Sequence, residues 1–166
     1  MMNVKFEFND DRLRQRLSIL ADKVLPYIKA TWFQIAKSVM HEAVLATPPP
    51  RSAASKDLRT LWEIVEEHPT DAITQFTIQN TYKPEQVLLY FEYGTKAHSI
   101  FPVRAKVLHF FINGEEIFAK NVRHPGTPAW KMFETAERRA DVIIEKYMTE
   151  TFNMVDQMLA VGGSAQ

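Results

Sequence analysis

The chain has 166 residues, with 20 basic and 20 acidic side chains, no net formal charge and no cysteine. This length fits a single domain, and the lack of cysteine excludes disulfides, thiolate catalysis and cysteine-based zinc or iron–sulfur sites. The charge balance argues against a dedicated nucleic-acid binder. No apolar run is long enough for a transmembrane helix or typical of a signal peptide, so we expect a cytoplasmic protein without membrane contact.

The first predicted element is a long amphipathic helix over residues 10–46. Its apolar side chains recur every three or four residues, at Leu13, Leu17, Leu20, Val24, Ile28, Trp32, Ile35, Val39 and Ala43. Pro26 lies inside this stripe and predicts a kink or a break, because proline lacks the backbone donor. The three prolines at 48–50 end the helix, and we expect a shorter helix over residues 55–67.

The middle of the chain predicts a small antiparallel sheet. Apolar and polar residues alternate over 72–78 and 87–93, which is typical of strands. Residues 107–112 are apolar on both faces, as in a strand that is covered on both sides. The pair Asn113-Gly114 follows, and its tolerance of positive φ angles predicts a tight hairpin over residues 106–120.

A second long helix is predicted over residues 129–160. Thr127 suits the N-cap and Pro128 suits the first helical position. Residues 161–166 are expected to form a disordered tail. The sequence therefore predicts one α+β domain over residues 1–160, with a long N-terminal helix, a short helix, a small antiparallel sheet and a long C-terminal helix.

The lengths of the two terminal helices favour an oligomer. A compact monomer of this size is about 40 Å across, whereas the last helix would be about 48 Å long and the first about 55 Å. An elongated molecule would expose apolar helical surface, and a neighbouring subunit would cover it. A kinked first helix in an ordinary monomer is the competing interpretation.

Several polar residues near the predicted sheet are candidates for chemistry. Glu92, His98, His109 and His124 are of the types that bind zinc or iron, although their spacing matches no compact ligand motif. Turn and strand roles are therefore the favoured interpretation of these residues, with the metal site as the alternative. The five glycines are too scattered for a phosphate-binding loop, and no nucleophile motif appears.

A second candidate is a locally basic stretch with aromatic residues between its charges. It includes Lys96, His98, Arg104, Lys106, Lys120, Arg123 and His124, and such a stretch can touch a phosphate backbone. Loop 94–106 and segment 47–55 are candidate contact arms. Large aromatic residues dominate interface energetics, so Trp32, Trp62, Phe101 and Trp130 are candidate anchors, with packing in the chain's own core as the alternative.

An ordered series of short motifs resembles the neck or tail-completion family of long-tailed bacteriophages, the head–tail joining proteins typified by a minor tail protein of lambda-like phages. The series comprises EYGT at 92–95, HSIFP at 98–102, KVLHF at 106–110 and VRHPGT at 122–127, followed by an aromatic-bearing helix. The resemblance covers residues 85–135. Further upstream, Pro49-Pro50 and Leu58-Arg59 match the family pattern, but residues 53–56 replace its Thr-Gly step.

The resemblance implies a structural virion protein with an α+β fold, no catalysis and no cofactor. Such proteins form a ring, commonly of six subunits, between the portal-side connector and the tail tube, and DNA only passes through the lumen. The protein would then be assembled in the host cytoplasm and located in the virion. Its partners would be copies of itself, the head-closure protein, and the tail tube or terminator proteins.

The same resemblance implies that Gly94 and Gly126 shape turns, and that His98 and His124 stabilise turns instead of binding metal. The candidate interaction or turn residues are Glu92, Tyr93, Gly94, Thr95, His98, Phe101, Pro102, His124, Pro125, Gly126, Thr127 and Trp130. Two alternative functions stay open. One is a metal-dependent hydrolase using Glu92, His98, His109 and His124, and the other is a non-viral adaptor module.

Overall fold

The computed structural model describes residues 3–9, 21–50, 55–70, 73–112 and 114–162, which form an α+β fold. In this part of the chain the helices are α1 (Ala21–Ala46), α2 (Gln86–Tyr93) and α3 (Met132–Gly162). The strands are β1 (Asn3–Asn9), β2 (Trp62–Thr70), β3 (Ile73–Asn80), β4 (His98–Ile100), β5 (Leu108–Ile112), β6 (Glu115–Ala119) and β7 (Val122–His124). None of the described helices combines the length and apolar character needed to cross a bilayer.

The base of the molecule is a three-stranded antiparallel sheet covered by two long helices. The strand order is β1-β3-β2. Phe76 in the central strand is 1% exposed, and its ring centroid lies 5.8 Å from that of Phe33 on α1. The partner of Phe76 in β2 is Glu66. The Glu66 carboxylate forms an ion pair with Lys29 of α1, with Nζ and Oε1 2.6 Å apart. Helix and sheet are thus joined by apolar packing in the centre and by charge at the edge.

Helices α1 and α3 run antiparallel and cover each other's apolar stripes. Contacts pair early residues of one helix with late residues of the other: Thr151 Oγ1 donates to Thr31 Oγ1 at 3.0 Å, and Ser38 Oγ lies 3.0 Å from Tyr147 Oη. The buried residues shared by the helices, β3 and α2 include Ile35, Ala36, Val39, Ala43, Phe76, Ile78, Leu88, Met132, Phe133, Ala136 and Ala140.

The facing stripes of the two long helices need no partner subunit to cover them, whereas the expectation that a neighbouring subunit covers their remaining apolar surface stays a prediction. Their facing stripes are buried inside the chain, and a second buried cluster of Val24, Ile28 and Val155 closes the other end of the helix pair. The α1 helix continues through Pro26, so the helix is not broken there, and the expected kink stays a prediction. Residues 10–20 of the predicted first helix lie outside the described residues.

Two predicted elements have the wrong type. Residues 55–67, expected as a helix, form a short 3-10 turn (Leu58–Leu61) followed by β2. The side chain of Asp57 caps this turn by accepting from Arg59 N at 3.0 Å. The turn ends at Leu61, and β2 begins at Trp62, which pairs with Asn80 of β3.

Residues 87–93, expected as a strand, lie in helix α2. Leu88 and Glu92, one helical turn apart, are both buried, whereas Leu89, Tyr90 and Tyr93 are exposed. The predicted strand over 72–78 corresponds to β3 from Ile73 onward, and Ala72 lies outside the described residues.

Two small two-stranded sheets follow α2. Strands β5 and β6 pair antiparallel where a hairpin was predicted, and Gly114 has φ +87°. Asn113, the other half of the predicted turn, lies outside the described residues. The expectation that the first of these strands is covered on both sides is wrong, because Phe111 and Ile112 are more than half exposed. Strands β4 and β7 form the other sheet.

Helix α3 begins and ends later than predicted. It starts at Met132 and continues to Gly162, so the first two residues of the predicted disordered tail are helical. Residues 163–166 lie outside the described residues. At 1.5 Å per residue, its 31 residues span about 46 Å.

Candidate functional site

Two of the sequence motifs, EYGT at 92–95 and VRHPGT at 122–127, meet where α2 ends and α3 begins. We call this contact between residues 91–98 and 124–134 the clasp. At its centre Thr95 N donates to Thr127 O at 2.9 Å, and Thr127 N lies 3.2 Å from Thr95 O and 2.9 Å from Thr95 Oγ1. The clasp therefore joins two segments that are 32 residues apart in sequence.

Two glycines allow the backbones of the clasp to approach each other closely. Gly94 and Gly126 both have positive φ angles, +70° and +93°. A Cβ atom on Gly94 would lie 2.6 Å from Thr127 O, and one on Gly126 would lie 2.2 Å from Thr95 O. Both distances are shorter than real contacts allow, so each segment needs a residue without a side chain where it crosses the other.

Glu92 caps the long helix from a distant position in the sequence. Its carboxylate is buried, with the residue 3% exposed. One oxygen accepts from Phe133 N at 2.9 Å and the other from Glu134 N at 3.0 Å. These amides belong to the first turn of α3, where backbone donors have no partner within the helix. The negative charge of the carboxylate also interacts favourably with the positive end of the helix dipole.

This arrangement corrects the prediction that Thr127 is the N-cap of the last helix. Thr127 lies before the helix, and its backbone pairs with Thr95. The cap is instead a carboxylate from the preceding helix. The end of α2 is satisfied in return, because Phe91 O accepts from Trp130 N at 2.7 Å and Glu92 O accepts from Lys131 N at 3.3 Å.

Lys131 and Glu134 add a charged pair at the start of α3. The Lys131 Nζ lies 2.8 Å from a Glu134 carboxylate oxygen. The hydrogen bond from Lys131 is the main cause that lowers the pKa of Glu134 below its ordinary value. Lys131 itself has φ +52°, which is unusual for a residue other than glycine. The chain thus turns sharply at Lys131, immediately before the helix. Glu92 stabilises the first turn of α3 through its amides, and Lys131 does so through its ion pair with Glu134.

His98 and His124 face each other across the β4–β7 pair. Their ring centroids lie 5.1 Å apart. His98 Nδ1 donates to Lys96 O at 2.9 Å, and His124 Nδ1 accepts from Gly126 N at 3.1 Å. Each ring therefore bonds to main chain two residues away, and both histidines stabilise turns of the clasp.

The four residues proposed for a metal-dependent hydrolase do not converge. Both oxygens of Glu92 are occupied by the α3 amides, and His109 lies on β5, where its Nε2 is 2.7 Å from a Glu116 oxygen. Within the described ranges, no group of three or more histidine, aspartate or glutamate side chains could hold a metal ion. The geometry therefore gives this alternative no support.

The remaining candidates lie on the surface around the clasp. Tyr93 is 71% exposed and Phe101 is 60% exposed, Pro102 is half-buried, and Pro125 is exposed. Trp130, 40% exposed, borders a cavity of about 450 Å³. Its other lining residues include Pro48, Pro50, Leu58, Tyr82, Val87 and Phe91.

The candidate anchors separate into two groups in the structure. Trp62 packs in the chain's own core, with its ring centroid 4.8 Å from that of Phe133, and Trp32 packs against the same core. Phe101 and Trp130 are exposed. The capping role of Glu92 was missed by sequence reasoning, because its partners lie about forty residues further along and no local pattern links them.

Comparisons with known proteins add no relative. The chain matches no family model, no curated protein and no solved structure.

Proposed function

We propose that this chain is a structural subunit of the neck or tail-completion region of a long-tailed bacteriophage. It would assemble with copies of itself into a closed ring, for which six subunits are expected, and join the head-side connector to the tail while DNA passes through the lumen. Its role would be binding, with no catalysis.

The observation that carries the proposal is the contrast between a sheltered base and an unsheltered extension. The base buries its apolar residues between α1, α3 and the three-stranded sheet. The β5–β6 hairpin, in contrast, leaves Phe111 65% and Phe118 61% exposed. An isolated two-stranded sheet is marginally stable in water, and exposed apolar patches mark interaction surfaces. This contrast is expected of a subunit whose own core is buried and whose exposed strands are covered by neighbouring subunits.

A second line of support is the position of the motifs. Two of the motifs that resemble the neck family build the clasp: EYGT provides Glu92 and Gly94, and VRHPGT provides His124 and Gly126. Glu92 caps α3, the two glycines allow the close backbone approach, and His124 accepts from Gly126 N. These motifs therefore encode how the extension is attached to the base, which is a property of an assembly scaffold.

The test is location and assembly state. In virions produced by the host that encodes this chain, an antibody against it should label the neck, between head and tail, in negative-stain images. The purified chain should yield rings, alone or after addition of the head-side connector. A chain that is absent from virions contradicts the proposal, and it favours the adaptor module instead.

A further inference from the structure

The formal charge of the chain is zero, but the charges are unevenly distributed between two surfaces. We call residues 95–112 and 114–124, which contain β4, β5, β6 and β7, the arm. The arm carries five basic side chains, Lys96, Arg104, Lys106, Lys120 and Arg123, against the two acidic side chains of Glu115 and Glu116. All seven are exposed. The arm is therefore a basic surface on a neutral protein.

Helix α3 has the opposite balance. It contains six acidic side chains, Glu134, Glu137, Asp141, Glu145, Glu150 and Asp156, and three basic ones, Arg138, Arg139 and Lys146. The face turned away from α1 includes three acidic residues, two basic ones and two apolar ones, all exposed: Asp141, Glu145 and Asp156, Arg138 and Lys146, and Val142 and Phe152. Residues three, four or seven apart share one side of a helix. We call this stripe the outer face of α3.

Both surfaces also expose large apolar side chains. On the arm, Val103 is 95% exposed and Phe111 is 65% exposed. On the outer face of α3, Val142 is 62% exposed and Phe152 is 59% exposed. An interface that combines apolar anchors with opposite charges gains both burial and orientation.

The arm has little support from its own chain. Among the described elements, β5 and β6 make extensive contact only with each other. One side of the hairpin presents Phe111 and Phe118 to solvent, while Phe110 and Ile117 on its other side are only half-buried. Such a ribbon is expected to be stable only when another surface covers it.

We propose that the arm of one copy docks on the outer face of α3 of a second copy. This inference rests on the proposed ring and names the surfaces that form it. The contact is heterologous, because each copy contributes an arm on one side and a helix on the other, and such contacts close into rings when the rotation allows it. Opposite charge and matched apolar residues, both present in the same chain, identify the second copy as the occupant.

A nucleic acid is the competing occupant of a basic and aromatic surface. Two features of the arm favour a protein. Glu115 and Glu116 lie at the start of β6, at the exposed end of the hairpin, where a phosphate backbone would be repelled. The apolar residues Val103 and Phe111 add surface that a phosphate backbone does not cover. Binding of duplex DNA is therefore treated as an outcome of the test.

The experiment uses the full chain with reversed charges on one surface at a time. The arm variant carries Arg104→Glu and Lys106→Glu, and the helix variant carries Asp141→Lys and Glu145→Lys. Sedimentation velocity at low ionic strength should show self-association of the wild-type chain. Each variant alone should associate at least about tenfold more weakly, because like charges then face each other.

An equimolar mixture of the two variants should recover the association of the wild-type chain. The acidic arm of the arm variant can dock on the basic α3 of the helix variant. The unchanged basic arm of the helix variant can dock on the unchanged α3 of the arm variant, so the two variants would alternate in the assembly. A matched control, Lys5→Glu with Glu63→Lys, reverses exposed charges on the three-stranded sheet and should leave association unchanged. Circular dichroism of every variant checks that its fold is retained.

The possible failures separate this inference from the proposed function. If the wild-type chain and both variants associate equally, or if the mixture recovers nothing, the docking contact is wrong, although labelling of the virion neck can still support the function. A wild-type chain that remains monomeric also overturns the docking contact. If the arm variant loses binding of a duplex DNA probe without any change in self-association, the arm is a nucleic-acid surface. Virions that lack the chain overturn the function, even where the charge-reversal test succeeds.

Discussion

Replacing Glu92 by alanine should destabilise the protein more than any ordinary surface substitution. The carboxylate accepts two amide hydrogen bonds in the first turn of α3, at 2.9 and 3.0 Å, and the residue is 3% exposed. Water cannot readily replace it, since Phe133 is itself 5% exposed. Both amides would lose their partner, and the favourable charge at the helix terminus would disappear.

The magnitude follows from these contacts. A hydrogen bond to a charged group contributes about 1.5–3 kcal/mol, and removing an ordinary N-cap costs about 0.5–2 kcal/mol. Desolvation of the buried carboxylate offsets part of the gain from two bonds. We therefore expect Glu92→Ala to lower the free energy of unfolding by about 3 kcal/mol, which lowers Tm by about 6–12 °C for a domain of this size. Glu92→Gln keeps one accepting oxygen and should lose about half as much.

Urea unfolding followed by circular dichroism measures this difference. The matched control is Glu137→Ala, which removes an exposed carboxylate from the same helix and should change stability by no more than about 0.5 kcal/mol. All variants are compared in the same association state, because binding between copies adds to apparent stability. The capping role is refuted if Glu92→Ala and Glu137→Ala unfold at the same urea concentration.

Three further substitutions test other parts of the structure. Gly126→Ala should prevent the clasp from closing and should lower the free energy of unfolding several times more than Gly114→Ala. Both glycines have positive φ, but only at Gly126 would a Cβ lie against backbone, at 2.2 Å. Equal unfolding midpoints of the two variants would contradict the close approach. Thr47→Val should cost about 1–3 kcal/mol, because Trp62 Nε1 donates to the Thr47 hydroxyl at 2.9 Å in a buried position, whereas Thr47→Ser should retain most of the stability in urea unfolding. The hydrogen bond from Lys29 on α1 is the main cause that lowers the pKa of Glu66 below its ordinary value of 4.5. The ion pair therefore stabilises the fold above that pH, and this stabilisation is lost as the pH falls through the lowered pKa. Glu66→Gln should therefore be less stable than wild type at neutral pH, by less than about 1 kcal/mol for a partly exposed pair, and equally stable in strong acid; a difference that persists in acid would exclude the ion pair as its cause.

Elements with an unambiguous period could be predicted from the sequence. The stripe through Phe133, Ala136, Ala140 and Ile144 fits only a helix, and these residues lie on α3. The alternation through Phe76 and its neighbours in β3 fits only a strand. Both signals are local, since they depend on spacing within a single segment.

Helix α2 could not be predicted in this way because its eight residues fit both periods. Val87, Leu89 and Phe91 alternate as in a strand, while Leu88 and Glu92 share one helical face. The helix is favoured by contacts from outside the segment, since its terminal carbonyls bind amides of residues 130 and 131. Short apolar runs of this kind are decided by tertiary contacts.

The same reasoning explains why the cap of α3 was assigned to the wrong residue. Thr127 followed by Pro128 has the local composition of a helix start, whereas Glu92 has no local feature that marks it as a cap. Only the fold brings its carboxylate to the amides of Phe133 and Glu134. The motifs around Glu92 and Thr127 do contact each other in the fold, but the roles of their residues depend on pairings across about forty residues, which no local pattern shows.

The clasp connects the stability of the base to the geometry of the proposed assembly. Strands β4 and β7 leave the clasp next to Gly94 and Gly126, so the arm emerges from a point where two backbones are locked together. Glu92 fixes the start of α3 at that same point. In the proposed ring, the clasp therefore links the two docking surfaces of a subunit, because β4 and β7 of the arm and the start of α3 meet there. A change that loosens the clasp should weaken association even where every residue of the arm and of the outer face of α3 is intact.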